Sequence, residues 1–507
     1  MRPRSASASA GETRRLTRGG GAGERGILRT ICHACAIFGL ALAGAMLVPA
    51  LVDWSEGYAE WQAFALSAAL AGSVSALVAI ATRGPREAVG RRAGFLLVTG
   101  VWISSSTIAA LPIALVLPHL SLAGALFEAM SGLTTTGATS IAGLDRLPPG
   151  VLLWRSMLQW FGGIGIVGMV ILILPSLRSG GISLFRMESS DRSETLLPRV
   201  REFAAALMTA FVVLTLLCAA TYAALGMDVF DAVNHAMTTV STAGFSTHDA
   251  SFGHYRDDPA MLIAAIVFMI AGALPFVLYI RLFMPQGLVG WRDPQVTLFL
   301  ALLVGLTLVV AISRRLEEGV PFAQALLSSA FHVVSVTTTT GFAAEDYTLW
   351  SHAAVAVFFL ATFLGGCGGS TTGGLKTYRL VILFVVVRAT LRQMARPHLV
   401  QPLRYGGAEL AEEQVRIVVI YVFLFVVFLL LGTVALAFLG LDLVTAFTGS
   451  LSGIANVGPA FGPVIGPAGN FSRFSDPALL VMTLLMLVGR LEIVTVAILL
   501  YPPAWRN

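Results

Sequence analysis

The sequence predicts an all-α polytopic membrane protein built from four copies of one unit, with an extra helix pair in front. Three observations predict it: the composition, a series of long apolar runs, and a short Thr/Ser/Gly segment that recurs four times in one slot of the unit. Of 507 residues, 56% are hydrophobic and only 12% charged, against roughly 25% charged in a soluble globular chain. The net charge of +5 is carried almost wholly by arginine, and no soluble domain is visible on which a basic nucleic-acid surface would sit. Nucleic acid is excluded as a partner; membrane lipid is implied. Four cysteines are too few and too scattered for a disulfide framework. Cys32 and Cys35 lack a second pair and read as small helix residues, and Cys218 and Cys367 as packing residues.

Residues 1–26, rich in Ser, Gly and Arg, read as a disordered cytoplasmic tail, too long and polar for the start of a cleaved signal peptide. Crossing hydrocarbon takes about 20 mainly apolar helical residues. The candidate spans are 30–52, 61–82, 95–117, 152–177, 203–226, 259–280, 295–312, 347–387, 415–440 and 477–500. Their even number puts both termini on one side. The tail, the loop at 83–92 and the segments 178–201, 281–292 and 388–416 hold most arginines and all fall on that side, so both ends are expected in the cytoplasm. The arginine-rich segments 178–201 and 388–416 would serve as docking surfaces or as lipid-headgroup contacts.

Between paired spans recur MSGLTTTGATS (130–140), MTTVSTAGFST (237–247), VSVTTTTGFAA (334–344) and LSGIANVGPAF (451–461). They align on Gly137, Gly244, Gly341 and Gly458. Each follows an apolar stretch too short to cross, such as 122–133 or 230–240. The unit is therefore span, short helix, loop, span. Irregular backbone at membrane depth is tolerated only where protein buries it or where it lines a water-filled cavity. Four such loops predict pseudo-symmetric repeats around a central pore. The expected divisions are a helix pair at 27–92 and repeats at 93–200, 201–292, 293–405 and 406–507.

Converging backbone carbonyls replace the water of a dehydrating cation without adding net charge. Glycine permits the φ > 0 that turns a carbonyl inward, and short helices aimed at the axis by their C-termini favour positive charge there. No carboxylate sits in the four loops, which suits a monovalent ion better than calcium. Glu128, Asp231 and Asp442 lie at or before the short helices and read as capping or packing residues, as do His235 and His332 as packing residues.

Two features interrupt the spans. LGGCGGSTTGGLKTYRL (364–380) has six glycines within 365–374. A helix-interior glycine costs about 1 kcal/mol relative to alanine, so the helix should end near Leu364 and resume near Thr377. Lys376 is the single lysine of the chain. A phosphate-binding loop is excluded, because Leu375 separates Gly374 from the lysine. Lys376 is either a charge at the cytoplasmic end of a span or a mobile point charge that bonds to loop carbonyls or repels a cation in a shut state. Arg490 falls midway through the last span, where an arginine costs roughly 2.5–3.5 kcal/mol to insert. It should face the bundle interior, as an ion pair or carbonyl clamp between helices or as a pore residue.

The segments SGLTTTGAT, TTVSTAGFS, VTTTTGF, ANVGPAFG, GGCGGSTTGGLKTYR and LVGRLEI resemble the Trk/Ktr/HKT superfamily of potassium transporters, and its TrkH-type branch through the extra helix pair. The likeness runs from about residue 30 to the end. It implies potassium uptake across the bacterial inner membrane, with potassium as substrate, no cofactor in this chain and no enzymatic activity. It implies a filter of Thr135, Thr136 and Gly137; Thr242, Ala243 and Gly244; Thr339, Thr340 and Gly341; and Asn456, Val457 and Gly458. Gly137 is the glycine that some sodium-conducting relatives replace by serine. The fourth loop departs from the Thr-rich pattern. The resemblance makes 365–376 an intramembrane gate loop, with Gly368, Gly369, Gly373, Gly374, Lys376 and Arg490 as gating residues and Arg490 an electrostatic barrier below the filter. It also implies a homodimer served by a cytoplasmic nucleotide-binding subunit of the TrkA kind. The rival readings are a sodium- or proton-coupled cation symporter, a secondary transporter of another class, and a membrane enzyme, for which the chain lacks a His/Asp/Glu/Cys cluster.

Overall fold

The computed structural model describes residues 9–84, 91–173, 196–281, 292–398 and 401–501. Among the described residues, secondary structure is helical apart from one two-residue antiparallel pair, Arg404–Tyr405 with Ala408–Glu409, and an isolated parallel bridge between Leu364 and Leu375. The first helix, α1 (Ser9–Ala45), begins inside the stretch read as a disordered tail. Residues 1–8, and 178–195 of the arginine-rich segment, lie outside the described residues. After a turn at Met46 the chain continues as α2 (Leu47–Glu56), followed by α3 (Trp61–Ala81) and α4 (Arg91–Val116).

The distribution of side chains on α3 is that of a membrane helix. Leu66, Leu70 and Leu77 point outward, more than half exposed, while Ser67, Ala68, Ala71 and Ser75 are buried. Lipid solvates leucine as well as protein does, so small residues take the helix contacts and let backbones approach. At Gly39 on α1 a Cβ would overlap the Ser75 hydroxyl, which marks that close crossing.

The four short helices form where expected: α5 (Leu122–Leu133), α8 (Val229–Val240), α12 (Phe322–Thr337) and α16 (Leu443–Ala455). Ser121 caps α5 by accepting from Gly124 N at 3.1 Å, Asp228 caps α8 through Phe230 N at 2.9 Å, and Asp442 caps α16 through Val444 N at 3.0 Å. Each cap satisfies amides that have no intrahelical partner. The spans before them are α4, α7 (Leu196–Ala224), α11 (Pro294–Ser313) and α15 (Glu412–Phe438).

The spans after them differ from the expectation of continuous helices. Only α6 (Pro149–Ile173) is unbroken over its described length. The expected span at 259–280 divides at Leu274 and Pro275 into α9 (Pro259–Ala273) and α10 (Phe276–Arg281), because proline has no N–H to continue the ladder. The span at 347–387 becomes α13 (His352–Ala361), a non-helical segment, and α14 (Thr377–Ala395). The last becomes α17 (Asp476–Arg490) and α18 (Ile493–Leu499), bent by 110° with Glu492 at φ +60°. Among the described residues six helices are long and apolar enough to cross a membrane, and the α17–α18 pair would make a seventh. Ten spans were expected; the breaks account for most of the difference.

The N-terminal helices pack on the first repeat. Trp154, fully buried on α6, donates to Ala109 O of α4 at 3.0 Å and meets Phe64 of α3 edge-on. Asp53 of α2 accepts from Gly150 N at 2.6 Å, capping α6 from outside its own repeat. Ser121 donates to Asp476 at 2.6 Å, joining the starts of α5 and α17 at the far end of the chain.

Candidate functional site

All four short helices end in the same six-residue motif. Thr135, Thr242, Thr339 and Asn456 take φ of +52°, +50°, +57° and +55°. Their amides donate three residues back, to Gly132, Thr239, Val336 and Gly453. The next amides donate five back, from Thr136 to Ser131, Ala243 to Thr238, Thr340 to Ser335 and Val457 to Ser452, at 2.9–3.1 Å. This is the Schellman closure, in which the left-handed residue is usually glycine. Asparagine tolerates that conformation, but a β-branched threonine there is an outlier. Such strain persists only where the surroundings over-determine it, and it clusters at functional sites.

Two residues on, Gly137, Gly244, Gly341 and Gly458 have φ of +80°, +78°, +82° and +100°. The structure brings them into one ring. A Cβ on Gly137 would overlap the carbonyl oxygen of Ala243, one on Gly244 that of Thr340, and one on Gly341 that of Val457; one on Gly458 would lie 2.6 Å from that of Thr136. Each loop therefore abuts the next, and the fourth abuts the first. The two residues before each glycine, from Thr135 and Thr136 to Asn456 and Val457, are all at most 1% exposed. The fourth loop differs as its sequence suggested: Asn456 Nδ2 donates to Thr136 Oγ1 and to Met486 O, both at 2.9 Å, tying loop four to loop one.

Three glycines in the second spans seat these loops. A Cβ at Gly162, Gly272 or Gly489 would collide with the carbonyl of Leu133, Val240 or Ile454, the same position in the last turn of each short helix. The third repeat has the break at 362–376 in that place. Sequence reading missed these glycines, and it missed Gln159 and Arg155 on α6. Gln159 Nε2 donates to Ala243 O at 2.7 Å and its Oε1 accepts from Phe245 N at 3.0 Å, so one lone pair of the Ala243 carbonyl is already engaged. Arg155, 1% exposed, pairs with Glu128 at 3.3 Å and lies 4.0 Å over the Phe245 ring. Two polar side chains at i and i+4 in an apolar helix were the available signal.

The helix ends at Ala361, three residues before the expected point, and resumes at Thr377 as expected. Between them the backbone folds under the ring, and its polar groups find partners on four sides. Gly368 N donates to Gln295 Oε1 at 2.8 Å; Gly369 O accepts from Phe276 N at 3.0 Å; Gly373 N donates to Thr339 Oγ1 and Gly374 N to Ala455 O, both at 2.8 Å. Thr371 Oγ1 meets Thr242 Oγ1 at 3.0 Å. The loop thus touches the left-handed residues of repeats two and three and the helix end of repeat four. A buried backbone group must be paired, and here it is paired to the ring.

Lys376 and Arg490 both bind this segment. Lys376 Nζ donates to Thr372 O and, at 3.1 Å, to Thr372 Oγ1. Arg490, 4% exposed, donates from Nη1 to Thr371 O at 2.8 Å and from Nη2 toward Gly162 O at 3.5 Å. The sequence reads Arg490 as an ion pair or carbonyl clamp between helices or as a pore residue; its contacts here are with carbonyl oxygens. Its near neighbour Glu492 pairs with Arg379, whose guanidinium lies 3.6 Å over Tyr421.

At the opposite end of the short helices a polar cluster joins repeats one and two. His248 Nδ1 meets Asp145 Oδ1 at 2.8 Å, and its Nε2 meets Asp231 Oδ2 at 2.9 Å. Tyr255 OH donates to the same Asp231 oxygen at 2.8 Å, and the His254 ring stacks on His248 with centroids 3.9 Å apart. A neutral imidazole donates from one nitrogen only, so two carboxylates are satisfied together only by the charged form. The Asp231 hydrogen bond accordingly raises the His248 pKa, against burial and with help from Asp145. Asp442, by contrast, only caps its helix. Cys32, Cys35, Cys218 and Cys367 are free thiols. Among the described residues no three His, Cys, Asp or Glu are grouped to hold a metal ion.

The family described as TrkH, cation transport protein, matches residues 60–503. The Trk system potassium uptake protein TrkI of Halomonas elongata is 42% identical over 477 residues, 94% of this chain and 97% of that protein. The Trk system potassium uptake protein TrkH of Escherichia coli K12 is 33% identical over 486 residues, 94% and 99% of the two chains. The crystal structure of the potassium transporter TrkH from Vibrio parahaemolyticus matches with a TM-score of 0.87 at 31% identity, over 94% of this chain and all of that one. The chain belongs to the TrkH family of cation transport proteins, and is a membrane transporter, not an enzyme.

Proposed function

We propose that this protein carries potassium into the cell across the bacterial inner membrane, with both termini cytoplasmic, through a filter formed by its four glycine-centred loops. The closed ring of glycine-to-carbonyl contacts supports this reading most directly. The names of its relatives, potassium uptake proteins of the Trk system, support the choice of ion. Peptide oxygens replace the hydration shell of the ion. Four helix C-termini directed at the ring contribute negative potential. The segment 365–376, held by Lys376 and Arg490, is the gate.

No second engine is required. One charge crossing 100 mV gains about 2.3 kcal/mol, equivalent to roughly 50-fold accumulation. A homodimer with a cytoplasmic nucleotide-binding partner of the TrkA kind completes the proposal, since a Trk system implies further components. The test is rubidium-86 uptake by vesicles containing the purified protein with a negative interior. Uptake that potassium competes away and lithium does not is the expected result. Uptake no greater than in protein-free vesicles overturns the reading, and uptake that requires sodium or a proton gradient replaces it with a symporter.

A further inference from the structure

Counting nine residues back from each ring glycine lands on Glu128, His235, His332 and Gly449. The first three are fully buried, and all three hold the segment that leaves the ring of their own repeat. His332 Nδ1 faces the Ser328 carbonyl at 2.8 Å, which can only accept, so that nitrogen carries the proton. Nε2 is then left to accept, and it does so from Ala344 N at 3.1 Å and Glu345 N at 3.0 Å. His235 repeats the arrangement: Nδ1 faces Asp231 O and Nε2 faces Ser246 Oγ, both at 2.9 Å, and that hydroxyl in turn accepts from His248 N at 3.1 Å. Glu128 does the same work with a carboxylate, accepting from Ser140 N and, at 2.9 Å, from Thr139 Oγ1, while Arg155 balances its charge. At Gly449 no side chain is available, and Ala460 N of that loop donates instead to Ile465 O at 2.8 Å.

We propose that Glu128, His235 and His332 are positioning residues of the ion path, each presenting acceptor atoms from one shared register on its short helix to fix the segment behind its loop and with it the spacing of the ring oxygens. This rests on the filter reading above. A binding constellation stays within about 0.5 Å of its geometry only when its supports are packed and hydrogen-bonded. A buried segment between the ring and the next span has amides that need acceptors. One side chain at the middle of each of the first three short helices reaches them, that of His235 through the Ser246 hydroxyl. Two unlike chemistries, an imidazole and a carboxylate, meet the same need, so the acceptor and not the charge is the shared property.

The experiment reads the potassium-to-sodium permeability ratio from reversal potentials in proteoliposomes, with each variant shown to be folded by a single size-exclusion peak. Glutamine places an acceptor near the position of the histidine Nε2, whereas asparagine reaches only to Nδ1. His332→Asn and His332→Leu should lower the ratio at least fivefold, and His332→Gln should return it to within twofold of the unaltered protein. Thr433→Val, which removes a buried hydroxyl bonded to Leu429 O within α15, should leave it unchanged. If the leucine variant does not fold, the asparagine and glutamine pair decides. An unaltered ratio in folded His332→Asn, with the parent protein selective, overturns the anchoring alone. Absence of cation flux in the parent protein overturns the filter reading instead.

Discussion

Lys376, at the end of the segment 365–376, and Arg490, at the end of α17, bind the carbonyl oxygens of adjacent residues, Thr372 and Thr371. A hydrogen bond from a charged donor contributes about 1.5–3 kcal/mol, and 1.4 kcal/mol is about tenfold in a two-state equilibrium. Lys376→Gln should therefore raise rubidium flux about tenfold in the absence of any partner. Lys376→Arg, whose planar fork cannot stand in for a compact ammonium, should also raise it. Arg490→Gln should act in the same direction, and the double variant should fall short of the product because both side chains hold one segment. Unchanged flux in both lysine variants would remove Lys376 from the proposed gate.

Gly244→Ala tests the ring. The residue sits at φ +78° and its new methyl would meet Thr340 O in the neighbouring loop. Uptake should fall more than tenfold. Gly226→Ala is the control: φ is +100°, yet nothing lies within 4 Å of the added carbon. It should cost about 1–2 kcal/mol of stability and leave selectivity as it was.

His248 gives a pH dependence. Its pKa is raised by Asp231 and Asp145, so the bridge between repeats one and two is fully present below the ordinary histidine value of about 6.5 and is lost as pH rises through the raised value. Asp145 moves the opposite way, lowered by the His248 hydrogen bond although burial opposes it. The rings of His235, His254 and Tyr255 also face the His248 imidazole, and the Asp249 amide donates to Asp145. Thermal stability scanned from about pH 6 to about pH 9 should decline in the parent protein and flatten in His248→Ala. Parallel profiles would remove His248 as the titrating group.

Arg155→Met leaves Glu128 buried without its cation. Removing one partner of a buried pair costs about 3–5 kcal/mol, and Ser246 O and Thr139 Oγ1 lose a donor as well. Unfolding followed by tryptophan fluorescence in detergent should shift to clearly lower temperature. Glu128→Gln added to Arg155→Met should recover part of the loss, since the stranded charge goes with it.

Much of this was legible in the sequence because repetition amplifies weak signals. One Thr/Gly segment says little; four aligned on Gly137, Gly244, Gly341 and Gly458 located the ring, and the glycine density at 365–374 located the break. What escaped was whatever depends on a partner distant in the chain. His235 and His332 read as packing residues because composition does not show that Ser246 or Ala344 returns to meet them. Their shared offset from the ring glycines was nevertheless visible. Gly162, Gly272 and Gly489 looked like ordinary small residues of apolar spans, and only the helix end above each explains them. The division at Pro275 was underread, because hydrophobicity runs on unbroken through a residue that cannot complete the backbone ladder.

The contacts around the ring all lean one way: loop one on two, two on three, three on four, four on one. A defect in one quarter therefore presses on its successor and spares its predecessor. In an assembly of four identical chains a single altered codon would strike every quarter at once. Here it strikes one, so each quarter is open to separate adjustment, and the asparagine in the fourth, linked sideways to its neighbour's threonine, is such an adjustment already made.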